Sequence, residues 1–250
     1  MAGHSKWANI QHRKGKQDKL RAKAFTKVGR EIIVASKLGG GDPDMNPRLR
    51  LAIQKAKAVN MPNDRIKKAI QTGAGGADTA NYEEVRYEGY GPAGVAIIVD
   101  ALTDNRNRTF AQVRTAFSKF GGTLGETGSV GFMFDRVGQI IYPADKADAD
   151  AMFEAAVEAG AENCESGEDI HDIQTAQEDL AAVRDALEEK FGEAEKADLT
   201  WQPNTMNELN EDQAATLMNL IEALEDDDDV QTVTTNMDVD DAILEKLMAE

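Results

Sequence analysis

Cys164 and His171 are residue types that could act together as nucleophile and base, seven positions apart. Several acids stand beside them, and nearby carboxylates raise a thiol's pKa, the wrong direction for activation. His171 with Glu168, Asp169 and Asp172 could hold a metal, but adjacent acids are ordinary in so acidic a region, and the segment reads as a polar turn. The run "EDDDDV", residues 225–230, lacks the alternating ligands and glycine of a calcium loop and reads as a solvated loop. "LGGGDP" and "GAGG" are glycine-rich, yet neither continues into the Gly-Lys-Ser/Thr of a phosphate-binding loop. No active site emerges. The expectation is a protein that is not an enzyme, with no metal, no cofactor and no small-molecule substrate.

Binding chemistry is more visible. In "TDNRNRT", Arg106 and Arg108 open a helix, where backbone N–H groups already favour anions. They could grip a phosphate or a partner carboxylate. Equally, Asp104 and Asn107 could hold a capped loop there.

The stretch "KWANIQHRKGKQDKLRAKAFTKVGR", residues 6–30, holds nine Lys or Arg and one acid, Asp18. From Gln17 to Leu38 there is no Pro, and apolar residues recur at Leu20, Ala24, Val28, Ile32 and Ala35, which predicts a helix ended by Gly39. On that helix Lys16, Lys19, Lys23, Lys27 and Arg30 fall within an arc of about 80°. Like charges stacked in this way repel. The stripe therefore calls for an external anion, with Lys6, His12, Arg13 and Lys14 extending the same basic surface. Trp7 could stack on a base, although packing on the protein is the commoner fate of such a residue.

Two more helices follow. "DMNPRLRLAIQKAKAVN" has Asn46 as N-cap, Pro47 in its first turn and Leu49, Ile53, Ala56 and Val59 inward, leaving Arg48, Arg50, Lys55 and Lys57 to project. "NMPNDRIKKAIQTG" turns Ile66 and Ile70 inward and ends at Gly73. Together they predict a three-helix bundle over about residues 17–73. "TGAGGADTAN" then reads as a hinge.

Residues 1–70 hold 17 Lys or Arg against 5 Asp or Glu, a net +12, whereas residues 71–250 hold 11 against 40, a net −29. A basic head on an acidic body suits a polyanion partner. The bland alternative is that the head docks on its own body. No apolar run approaches the roughly 20 residues of a membrane span. One cysteine and no signal-peptide pattern suit a cytoplasmic protein without a membrane partner.

Beyond the hinge the rhythm is that of strands. "YEEVRYEGYG" and "GVAIIVDAL" are strands, "NRNRTFAQVRTAFSKFGG" a helix and "SVGFMFDR" a third strand. Residues 136–205 then read βαββαβ, the ferredoxin-like order. The helix "EDQAATLMNLIEALE" and the strand "VQTVTTNM" lack partners of their own and complete the earlier unit. The expected fold is therefore multidomain α and α+β. A basic helical domain, 1–75, precedes an α+β domain of 82–135 plus 206–250, into which the ferredoxin-like domain 136–205 is inserted.

The segments "MAGHSKWANIQHRKGKQDKLRAKAFTKVGREI", "GGGDPDMNPRLRLAI", "YEGYGPAGVAIIV", "TDNRNRT" and "GGTLGETGSVGFMF" closely resemble the YebC family of probable transcriptional regulators, which includes the mitochondrial translational activator of cytochrome c oxidase. The resemblance runs from Met1 to about residue 236. It implies the same three-part fold and a cytoplasmic, non-enzymatic, nucleic-acid-associated role. Two forms of that role are implied: DNA binding with control of transcription, or action on the ribosome during translation through ribosomal RNA, including relief of stalling at proline-rich stretches. Gly29 departs from the family pattern, which more often has a larger residue there, and the tail "DVDDAILEKLMAE" follows no such pattern.

Overall fold

The computed structural model describes residues 17–75 and 81–249. The head comprises α1 (Gln17–Gly39), α2 (Pro47–Ala58) and α3 (Asn63–Ala74). α1 stops where Gly40 takes a left-handed φ of +86°. Buried Asn46 joins the first two helices. Its side chain accepts from the Leu49 amide at 3.1 Å, capping α2, and donates to the carbonyls of Ala35 and Gly40, each at 2.8 Å. Ile32, Ala35, Leu49, Ala52, Ala56, Met61, Ile66 and Ala69 form the core of the bundle. Gly73 stands at the end of α3, one residue before its last. It is the point of closest approach to α1, where an added Cβ would meet the Ile33 carbonyl oxygen at 2.4 Å.

The first α+β layer pairs β1 (Glu83–Tyr90) antiparallel with β2 (Ala96–Thr103). α4 (Arg106–Lys119) and the short β3 (Thr123–Leu124) follow. Much later in the chain, α7 (Glu211–Glu225) packs beside α4, and β9 (Val230–Thr235) pairs with β2. The sheet order is β3-β1-β2-β9. Ile97, Val99 and Ala101 on one face of β2 meet Val113 and Phe117 of α4, Leu217, Leu220 and Leu224 of α7, and Leu244 of the last helix, α8 (Asp241–Ala249). Ala96 and Ile98 on the other face pack with Val130 and Phe134. β2 is thus buried on both sides, which explains its nearly unbroken apolar run.

The second sheet runs β4 (Phe134–Pro143), α5 (Ala149–Ala159), β5 (Asn163–Ser166), β6 (Ile170–Thr175), α6 (Leu180–Phe191) and β7 (Lys196–Pro203). Its order is β5-β6-β4-β7, antiparallel throughout, which is the ferredoxin-like topology. β8 (Asn207–Glu208) and β10 (Met237–Asp238) form a small parallel pair. Trp201 of β7 joins the two sheets. Its ring lies between the guanidinium groups of Arg86 (4.2 Å) and Arg136 (4.9 Å), and its Nε1 donates to Asp100 of β2 at 3.1 Å.

One expected strand is corrected. "SVGFMFDR" does not form a third strand of the first layer. Gly131–Met133 is a 3₁₀ turn, and Phe134 begins a single strand that continues through "GQIIYP". The cause is Glu88, 3 % exposed, whose carboxylate accepts from the amides of Val130 (2.9 Å) and Gly131 (2.7 Å). Those amides cannot also serve a ladder. Burial alone would raise the Glu88 carboxyl, but these backbone donors hold it below the usual glutamate range. The short β3 takes the place next to β1.

Two glycines make opposite predictions. A Cβ on Gly29 would come no closer than 3.9 Å, to the flexible tip of Met61. Gly29→Ala should therefore stabilise the protein by about 0.5–1 kcal/mol in denaturant unfolding. Gly73→Ala should destabilise it by about 1–3 kcal/mol, because α1 and α3 must move apart. Equal effects of the two substitutions would contradict this helix packing.

Candidate nucleic-acid interface

The basic stripe of α1 meets the segment that links α7 to β9. Lys23 donates through Nζ to the Asp226 carbonyl at 3.1 Å and pairs with the Asp226 carboxylate. Lys27 donates to the Glu225 carbonyl at 2.9 Å. Arg30 bonds the Asp228 carbonyl, reaches the Asp229 carboxylate at 2.6 Å and lies over the Tyr82 ring at 5.4 Å. Two expectations are corrected here. The described part of the stripe, Lys23, Lys27 and Arg30, is not uncompensated, and "EDDDDV" is not simply a solvated loop. The helical period put Lys23, Lys27 and Arg30 on one face correctly, but their partners lie about 200 residues away in sequence, where no local rule can see them.

Asp229 is the centre of this contact, with only 3 % of its side chain exposed. Oδ2 accepts from Arg108 Nη2 at 2.5 Å, Thr109 Oγ1 at 2.7 Å and Thr103 Oγ1 at 3.1 Å, while Oδ1 accepts from Arg30. Burial pushes the carboxyl up, but the Arg108, Thr109 and Thr103 hydrogen bonds and the Arg30 charge outweigh it and hold Asp229 below the ordinary aspartate range. Neighbouring Asp227 behaves oppositely: burial raises it.

"TDNRNRT" serves this centre. Asn105 caps α4 by accepting from the Arg108 amide at 3.1 Å. The Arg108 side chain binds Asp104 at 2.8 Å as well as Asp229, and those hydrogen bonds hold its pKa above the usual arginine value. Arg106 faces outward, 67 % exposed, with Glu83 at 3.7 Å.

The remaining expected contacts divide into three groups. Arg48 bonds Glu31 at 2.9 Å and also Glu84; Arg50 bonds the carbonyls of Pro43 (3.2 Å) and Asp44 (3.0 Å); Lys55 pairs with Asp198 of β7 at 2.7 Å. Lys57 is exposed and forms no ion pair with a described residue. Lys6, His12, Arg13, Lys14 and Lys16, with Trp7, lie outside the described residues, as does the side chain of Lys19. Sequence reading missed Arg65, Lys67 and Lys68 on the solvent side of α3. Arg65 lies over the Phe25 ring at 5.6 Å, while Lys67 and Lys68 join Lys57 in forming no ion pair with a described residue. The signal was present: once Ile66, Ala69 and Gly73 face inward, these three cations must face out, with Asp64 the one acid of that helix.

The other candidate chemistry is structural. His171, 2 % exposed, has Nε2 at 3.0 Å from the Ala147 carbonyl oxygen and Nδ1 at 2.7 Å from Ser166 Oγ. A carbonyl only accepts, so Nε2 donates to Ala147. Burial pushes the Cys164 thiol up, and Asp172 and Glu165 add to the rise, so its thiolate is disfavoured. Among the described residues no three His, Cys, Asp or Glu side chains are grouped to hold a metal. Also among them, no helix is long and apolar enough to cross a membrane.

Comparison with known proteins covers nearly the whole chain. A family profile described as the TACO1/YebC protein N-terminal domain matches residues 5–76, and one described as the TACO1/YebC second and third domain matches residues 82–237. The crystal structure of a conserved hypothetical protein from Aquifex aeolicus superposes with a TM-score of 0.86 at 46 % identity, covering 94 % of this chain and 97 % of that one.

The Asp229 centre predicts an acid-sensitive contact. A carboxyl depressed in the folded state stabilises it above the unfolded-state pKa of about 3.9 and ceases to do so as pH falls through the lower folded value. Asp227 contributes with the opposite sign, so a difference measurement is needed. Asp229→Asn should cost at least about 3 kcal/mol at pH 7. That deficit should shrink as the pH is lowered below about 4. A deficit independent of pH in denaturant titrations would show that the charge of Asp229 does not hold the contact.

Proposed function

Since the chain belongs to the TACO1/YebC family, we propose that it is a regulator of gene expression that acts by binding nucleic acid through the phosphates, not by catalysis. The observation that carries this reading is the set Lys57, Lys67 and Lys68. They stand exposed on the head without ion pairs to described residues, in a molecule where most neighbouring cations are already engaged by its own acids and carbonyls. Lysines on the solvent side of a short helix hold phosphates and position a protein, but they carry little sequence information. Lys23, Lys27 and Arg30 of α1 are laid against the body and are not offered to a major groove. This favours backbone binding over base reading.

The form of the target follows from the rest of the charge. Residues 134–203 hold 19 acids and 5 Lys or Arg, a net −14. Bare duplex DNA would repel that unit. A ribosome, where basic proteins lie beside dense RNA phosphates, would accommodate head and body together. The first reading, control of transcription through DNA, needs only the head. The acidic inserted unit favours the second, action in translation on ribosomal RNA. Co-sedimentation with ribosomes, abolished by ribonuclease, is the result expected of the second; binding to duplex DNA with no ribosomal fraction would return the reading to transcription.

In either case the log–log salt dependence of affinity should be steep. Each lysine that meets a phosphate contributes about one unit of slope. Replacing Lys57, Lys67 and Lys68 together by alanine should lower the slope by about 2–3 units without changing the melting temperature. An unchanged slope would exclude these three lysines as the contact.

A further inference from the structure

We infer that the acidic segment Glu225–Asp229 occupies a second phosphate-binding surface, formed by Lys23 and Lys27 of α1, and that a polyanion must displace it to engage those residues. The inference rests on the phosphate-binding reading above and adds a regulated second half to the same head.

The contact is graded along the helix. At Arg30 it is tight: the Asp229 carboxylate is nearly sealed from solvent and shared with Arg108 and two threonines. At Lys23 it is open: the Lys23 and Asp226 side chains are 20 % and 60 % exposed. Exposed pairs of this kind contribute little and are screened by salt. Between them, Lys27 is held by a neutral acceptor, the Glu225 carbonyl. It lies beside a like charge at Lys23, four residues away on the same face. Burial is the main influence that lowers the Lys27 pKa; the Glu225, Asp227 and Asp228 carboxylates oppose it, the Lys23 charge adds to it, and the net direction is down. A phosphate would put a charged acceptor where Lys27 now meets a carbonyl. The expected motion is therefore a peeling of the Lys23–Lys27 part of α1 from the loop, with Arg30 on Asp229 as the pivot.

The chemistry selects the ligand class. To Lys23 and Lys27 the covering segment contributes the Asp226 carboxylate and the carbonyls of Glu225 and Asp226, spaced along one face of a helix. A single phosphate could replace one of those contacts. A chain of phosphates at the spacing of a nucleic-acid backbone could replace them together.

The test compares two neutralised acids that change the net charge equally. Asp226→Asn removes the charge paired with Lys23 and leaves the backbone carbonyl contact; Glu154→Gln, on the exposed side of α5, serves as the control. The probe is a short RNA duplex in titrations at several salt concentrations. Asp226→Asn should tighten binding by roughly three- to tenfold and steepen the salt slope by about one unit, while Glu154→Gln should do neither. Adding Lys23→Ala should cancel the gain. Equal affinities for the two single variants, or a gain that survives Lys23→Ala, overturns the inference while leaving the phosphate reading intact. Absence of duplex binding by both the native protein and Asp226→Asn at low salt overturns both.

Discussion

A carboxylate that is 3 % exposed cannot remain ionised unless its neighbours replace the water it has lost. For Asp229 they are Arg30 from the head, Arg108 and Thr109 from the start of α4, and Thr103 from the end of β2. Four parts of the chain meet at one charge. If α1 moved away at Arg30, Asp229 would lose one of its two cations. If α4 shifted, it would lose the other together with a hydroxyl. The head's placement on the body thus follows from the compensation of a single buried acid, and the weaker pairs around it, such as Arg48 with Glu84 and Lys55 with Asp198, align surfaces already brought together.

That geometry also explains what the sequence could and could not reveal. Periodicity and punctuation are local, and they located the head helices: Pro47 and Asn46 at one start, and Gly39 followed by Gly40 at one end. The βαββαβ order was legible for the same reason, each strand and helix announcing itself within ten or so residues. The failures were long-range. Gly131–Met133 looked like part of a strand because its residues are apolar, but a carboxylate more than forty positions upstream binds the amides of Val130 and Gly131. The end of α3 at Gly73 was legible to within one residue, but the reason for its missing side chain, the Ile33 carbonyl, lies on another helix.

The interface shows the same division. The stripe of Lys23, Lys27 and Arg30 was correctly placed on one face, and the acids of 225–229 were correctly noted as dense, but nothing in either segment says that they face one another. Composition gave the charge of each half without giving addresses. Trp201 is a second case: its value as a bridge comes from Arg86, Arg136 and Asp100, which belong to three different strands and converge only when both sheets are built. Lys67 and Lys68 are legible in sequence, because the inward positions of α3 fix the outward ones.

A basic head on an acidic body competes with its own ligand. An acid carried on the same chain acts at an effective concentration in the millimolar range or above, so an isolated external phosphate of ordinary affinity cannot displace it. A polyanion differs because its contacts arrive together: once Lys57, Lys67 and Lys68 hold one part of a backbone, the next phosphates are local too. The acidic segment would then act as a threshold on charge density rather than as a simple barrier. On that proposal it would shield Lys23 and Lys27 from scattered anions and yield to a surface that presents phosphates in a row. Such a filter needs no base-reading contact. It distinguishes targets by how closely their charges are spaced, the property in which nucleic acid differs most from the other anions a protein meets.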